Sequence, residues 1–96
     1  MMVIVMFNML DINKVSKELD ITFDKFSKED LLTGINIELE HGTINDVTNV
    51  TNDDLIMTTK IALAHLNEFN DYYNKDYGLP NFEENLRNRK GFIRYY

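Results

Sequence analysis

The chain has 96 residues, 44% hydrophobic, with no cysteine and a formal net charge of −6. One domain with a modest core fits this length. Disulfides and thiolate metal sites are excluded, and the acidic balance disfavours nucleic acid as a partner because phosphates are repelled.

Met1 to Phe7 is a short apolar run whose length does not separate strand from helix. It lacks the basic flank and small-residue cleavage site of a signal peptide, and no apolar run reaches the length of a membrane span. The expectation is an intracellular protein, in cytoplasm or virion, with no membrane contact. Asn8 followed by Asp11 reads as a capping box opening a helix to about Asp20, which buries Ile12, Val15 and Leu19. Phe23 and Phe26 in the connector are expected to plug the core. Ser27 and Asp30 repeat the entry device, with Phe26 and Leu31 as a hydrophobic staple. Leu32, Ile35 and Leu39 are then the expected buried stripe of the second helix, with Leu31 and Ile37 widening it. Gly34 costs that helix about 1 kcal/mol relative to alanine, which close approach of another helix would offset. Gly42 stands where a left-handed residue would end it.

Thr51 and Asp54 form a third box, with Val50 and Leu55 as staple. From Leu55 the residues Thr59, Ala62, Leu66, Phe69 and Tyr73 recur at helical spacing and should face the core. His65 and Glu68 stand three apart on the neighbouring stripe, and Glu38 and His41 have the same spacing on the preceding helix. An antiparallel packing of the two helices would set Glu38 and His41 nearer Asp53 and Asp54 than His65. Asn70-Asp71 is expected to break the third helix, with Asp71 capping a short turn, and Gly78-Leu79-Pro80 to stop the chain's helical course. Asn81 and Glu84 then open a short helix to Lys90. Three entries built alike argue for a compact all-α domain of four to five helices. MVIVMF and FIRYY at the ends are strand-like, and their pairing between copies would make a homodimer.

The segments ELEHG, TNVTNDD and KIALAHLNEFNDYY, in this order, resemble a family of small helical proteins catalogued as a domain of unknown function. That resemblance covers about residues 11 to 77. It implies a helical fold and a bacterial, phage or large-DNA-virus setting, and no assigned activity. The chain departs from the pattern at Asn70, where the family pattern has proline, and the ends, MMVIVMF and residues 78–96, look private to this chain.

Several chemistries compete for the central stretch. A histidine-carboxylate pair at i, i+3 is the kind that helical bundles use for iron or manganese, so Glu38, His41, His65 and Glu68 are candidate ligands for a divalent ion, with Asp53 and Asp54 nearby. The alternative is a purely structural polar cluster: caps, and charges set against helix dipoles. Acid–base catalysis lacks a partner nucleophile in this stretch. The oxygen-rich loop TINDVTNVTNDD lacks the glycine and terminal glutamate of a calcium-binding EF-hand. All sixteen acids lie at or before Glu84, while Arg87, Arg89, Lys90 and Arg94 cluster at the end with Tyr95 and Tyr96. That tail is a candidate surface for an acidic partner or a single strand. The expected function is therefore a binding or structural module, not an enzyme, acting through contacts with itself or another protein. It needs no cofactor, and the alternative is a small metal-binding protein.

Overall fold

A computed structural model describes residues 6–89. Among these residues the chain forms four α-helices and no strand: α1 (Met9–Glu18), α2 (Lys28–Glu38), α3 (Leu55–Glu68) and α4 (Leu79–Asn88). The all-α expectation is met. The strand-like ends MVIV and FIRYY lie outside the described residues, as do Lys90, Arg94, Tyr95 and Tyr96 of the basic tail. Just inside that boundary, the Asn36 amide grips the Phe7 backbone from both sides. It accepts the Phe7 N–H at 2.8 Å and donates to the Phe7 carbonyl at 3.1 Å.

The first two entries are built as their sequences prescribe. Asn8 and Asp11 exchange side-chain and backbone hydrogen bonds, and Ser27 and Asp30 do the same. Each box satisfies two N–H groups that a helix start leaves without partners. Helix α1 ends earlier than Asp20, because Asp20 itself takes the left-handed conformation (φ 52°) and lets the Ile21 N–H reach back to the Ser16 carbonyl. This is the Schellman arrangement with aspartate in the place glycine usually holds. In the connector Phe26 is buried and Phe23 packs edge-on against it, ring centres 5.8 Å apart.

Helix α2 is the centre of the molecule. It makes the principal contact with α3, and α1 leans on both. Its buried face is Leu31, Gly34, Ile35 and Glu38, while Leu32 and Leu39 are only half-buried. Of the expected stripe, Leu31 and Ile35 are buried while Leu32, Ile37 and Leu39 lie at its margin, and a carboxylate occupies the last turn. The core comprises Ile12, Phe26, Leu31, Ile35, Ala62, Leu66 and Tyr73. Gly34 does face a close neighbour, but that neighbour is the Tyr73 ring and not a helix. A Cβ at Gly34 would sit 2.6 Å from Tyr73 Cε2.

Beyond Glu38 the chain tightens into one 3-10 turn, Leu39–His41. Gly42 is not left-handed (φ −104°), contrary to expectation. Glycine is needed there for space, since a Cβ would fall 1.9 Å from Asp53 Oδ1. The third capping box is also corrected. Helix α3 begins at Leu55 with Asp54 as its cap, whose carboxylate accepts the Met57 N–H at 2.8 Å. Thr51 is instead buried in the loop, its hydroxyl accepting the Asp53 N–H, and its supposed staple partner Val50 is exposed. Asn52 and Asp53 both have positive φ, a conformation that interrupts any helix starting at Thr51.

Helix α3 buries Thr58, Thr59, Ala62 and Leu66. The two threonine hydroxyls bond back to the carbonyls of Asp54 and Leu55, so no polar group is lost in the contact with α2. The helix stops at Glu68, and Phe69, expected in the core, is exposed. Tyr73 is buried as expected, but from the turn after the helix. That turn is organised by Asn74, whose side chain accepts the N–H groups of Asp76 and Tyr77. Gly78 and Pro80 do not stop the chain; they start α4, with Gly78 as cap and proline in the first turn. Gly78 lies against the Asp71 and Tyr72 carbonyls where no Cβ fits, and the Leu79 N–H bonds to the Tyr72 carbonyl at 2.6 Å. No helix among the described residues is long and apolar enough to cross a membrane.

Candidate functional site

The site grows from one buried carboxylate. Glu38 ends the inner face of α2 and is only 2% exposed. A buried carboxylate is costly unless its oxygens are occupied. Here the two oxygens are divided. Oε2 accepts the hydroxyl of Tyr73 and lies 3.7 Å from His65 Nε2. Oε1 lies 3.4 Å from His41 Nε2. His41 in turn stands 3.5 Å from Glu40 Oε1. Donor atoms of Glu38, Glu40 and His41 all fall within 4.8 Å of one another.

Each member is placed by local structure. The 3-10 turn swings Glu40 and His41 round the end of α2, so that the i, i+3 pair Glu38 and His41 closes on itself. The His41 carbonyl accepts the N–H groups of Val50 and Thr51, which fastens this turn to the loop. His65 comes from the last turn of α3. It stacks on Tyr72 (ring centres 4.2 Å apart, planes 7° apart) and meets the Tyr73 ring edge-on at 6.2 Å. The two tyrosines are themselves edge-to-face at 4.9 Å. Both imidazoles therefore present Nε2 to one carboxylate, each at a different oxygen, His41 from the 3-10 turn and His65 from α3.

The electrostatics are those of crowded negative charge. Burial, then the carboxylates Glu38 and Glu83, push the Glu40 carboxyl above its ordinary range, against the opposing pull of His41. Burial first, then its hydrogen bond and the charge of Glu38, push the Tyr73 phenol far above the usual value. Tyr72 is raised as well, by burial and by Glu38, Glu40, Glu68 and Glu83. Among the described residues no lysine or arginine lies within 4 Å of a carboxylate, and the only ion-pair contacts involve the two histidines.

Of the candidate residues read from the sequence, Glu38, His41 and His65 are brought together. The expected neighbours of Glu38 were Asp53 and Asp54; its neighbour is His65. Asp53 is held away by Thr43, which donates both its hydroxyl and its N–H to that carboxylate and so holds its pKa below the usual range. Asp54 is the cap of α3. Glu68 is exposed on the last turn of that helix, and its charge registers on Tyr72. Arg87 and Arg89 are exposed at the end of α4. Sequence reasoning missed Glu40 and the two tyrosines as members. The adjacent pair Tyr72-Tyr73, following a histidine-bearing helix, was the available signal.

The arrangement supplies one imidazole nitrogen and two carboxylates within mutual reach, with the His65 imidazole beside the other oxygen of Glu38, a mixed set suited to zinc, manganese or ferrous iron more than to calcium or magnesium. Ligand bonds of about 2.1 Å on a tetrahedral ion place neighbouring donors roughly 3.4 Å apart. The spacings from His41 Nε2 to Glu38 and Glu40, 3.4 and 3.5 Å, are of that size.

Fold and site together define a small helical domain with a histidine-carboxylate cluster at the junction of its two central helices. Residues 12–82 match the family model DUF5661, described as a protein of unknown function, and the chain belongs to that family. No curated protein and no solved structure matches it.

Proposed function

We propose that the protein is a small binding module that takes a divalent transition-metal ion at Glu38, Glu40 and His41, with His65 at the edge of the site. The observation that carries this reading is the convergence of both histidines of the chain on one buried carboxylate that has, among the described residues, no lysine or arginine beside it. A bound cation would relieve the mutual repulsion of Glu38, Glu40 and Glu83. The test is thermal unfolding of chelator-stripped protein with added zinc, manganese, ferrous iron or calcium. Binding to the folded state at a hundredfold excess over the dissociation constant adds about 2.7 kcal/mol of stability. His41→Ala should abolish the shift, and absence of any shift in the native protein would end the reading.

A second reading rests on α4. Phe82 (59% exposed) and Leu86 lie one turn apart on a helix that buries none of its residues, with Arg87 and Arg89 beyond them. An apolar helical stripe with basic flanks suits an acidic protein partner, a second copy included. Sedimentation of the native chain beside a Phe82→Ser, Leu86→Ser variant tests self-association through this face. A monomer at high micromolar concentration would exclude it.

A further inference from the structure

We infer that Tyr73 is the positioning residue that sets which cation the cluster takes, by keeping one oxygen of Glu38 out of the coordination shell. The inference rests on the metal-binding reading above and extends it from a set of ligands to a selectivity.

A carboxylate binds an ion through one oxygen or through both. Calcium, with six to eight oxygen ligands, commonly takes both, whereas four-coordinate zinc takes one beside nitrogen donors. At Glu38 the choice is made before any ion arrives. Oε2 is committed to the Tyr73 hydroxyl on the side of His65, and Oε1 is the oxygen that faces His41. The commitment is built deeply into the fold. The Tyr73 ring is 4% exposed, and it occupies the gap that Gly34 leaves on α2. Edge contacts with His65 and Tyr72 fix it from two further sides. A phenol held this firmly acts as the hydrogen-bonded support that orients a ligating carboxylate. Glu38 is thereby a one-oxygen ligand, and the site is matched to a small, nitrogen-accepting ion.

Tyr73→Phe removes the hydroxyl and keeps the ring against Gly34. The affinity of the full chain for zinc and for calcium is measured by titration of the native protein and of this variant, each under conditions where it is folded. Loss of such a support typically weakens binding 10- to 100-fold. Zinc affinity should fall by that factor, while calcium affinity holds or rises because Glu38 becomes free to bite with both oxygens. Tyr77→Phe, which removes a hydroxyl from an exposed tyrosine outside the cluster, should change neither. Gly34→Ala gives an independent arm: it displaces the ring with the hydroxyl still present and should lower zinc affinity in the same direction. If the native chain binds zinc and Tyr73→Phe retains the same zinc-to-calcium ratio, the inference is wrong and the metal site stands. A parallel fall for both ions also overturns it, since that is the mark of a general structural role. A native chain that binds neither ion overturns the site and the inference together.

Discussion

Gly34→Ala isolates how the tyrosine and the central helix depend on one another. Alanine in mid-helix is favoured over glycine by about 1 kcal/mol, so helix propensity alone makes this substitution stabilising. The surroundings say otherwise. The new Cβ would meet Tyr73 Cε2 at 2.6 Å, Cδ2 at 2.8 Å and Cζ at 3.3 Å, and the ring is closed in by His65 and Tyr72. Overpacking of this sort costs about 1–3 kcal/mol. Displacing the ring also strains its hydrogen bond to a carboxylate, worth roughly 1.5–3 kcal/mol. Net of the propensity gain, the variant should lose about 1.5–5 kcal/mol. In a domain of this size that lowers the melting midpoint by about 10 °C or more. Urea denaturation read by circular dichroism gives the value, and a double-mutant cycle gives the cause. With Tyr73→Ala in the background the clash is gone, so Gly34→Ala should there become stabilising by up to about 1 kcal/mol. A neutral or stabilising effect in the native background, or the same sign in both, would refute the account.

Two further outcomes are expected. Asp54→Ala should cost about 1 kcal/mol as the lost cap of α3, seen as a lower urea midpoint at unchanged slope, since Asp54 holds the Met57 N–H. At high pH the raised Tyr73 phenol decides the sign: above about pH 10 the unfolded chain loses this proton and the folded chain keeps it. Stability from this group is then complete below pH 10 and falls above it by up to about 1.4 kcal/mol per pH unit, so Tyr73→Phe should flatten the alkaline limb of a stability–pH profile.

Helix entries were legible wherever the information is local. Asn8 with Asp11, and Ser27 with Asp30, satisfy each other across three residues, and nothing distant competes. The Thr51 box failed because loop geometry intervened. Asn52 and Asp53 turn left-handed to bring Asp53 under Thr43, and the helix starts three residues later than the motif suggests. Periodicity found the inner face of α3 but ran past its end, so Phe69 was placed in a core that the helix does not reach. Gly34 was legible as a point of close approach, yet the identity of its neighbour was not.

For the site, the sequence determined the chemical inventory and the local pairs: Glu38 with His41 along one chain segment, and His65 with Glu68 on the next helix. Only the tertiary structure decided that His65 faces Glu38, because that depends on how far α2 and α3 slide past each other and on the turn after Glu68. The sliding is set by packing of Leu31, Ile35, Ala62 and Leu66, with Tyr73 folded back into the space over Gly34. Side-chain spacing along a helix fixes which groups share a face. It carries no information about which face of another helix will meet it, since that choice rests on burial summed over residues distant in sequence. The buried carboxylate at the end of α2 gained its neighbours from that packing.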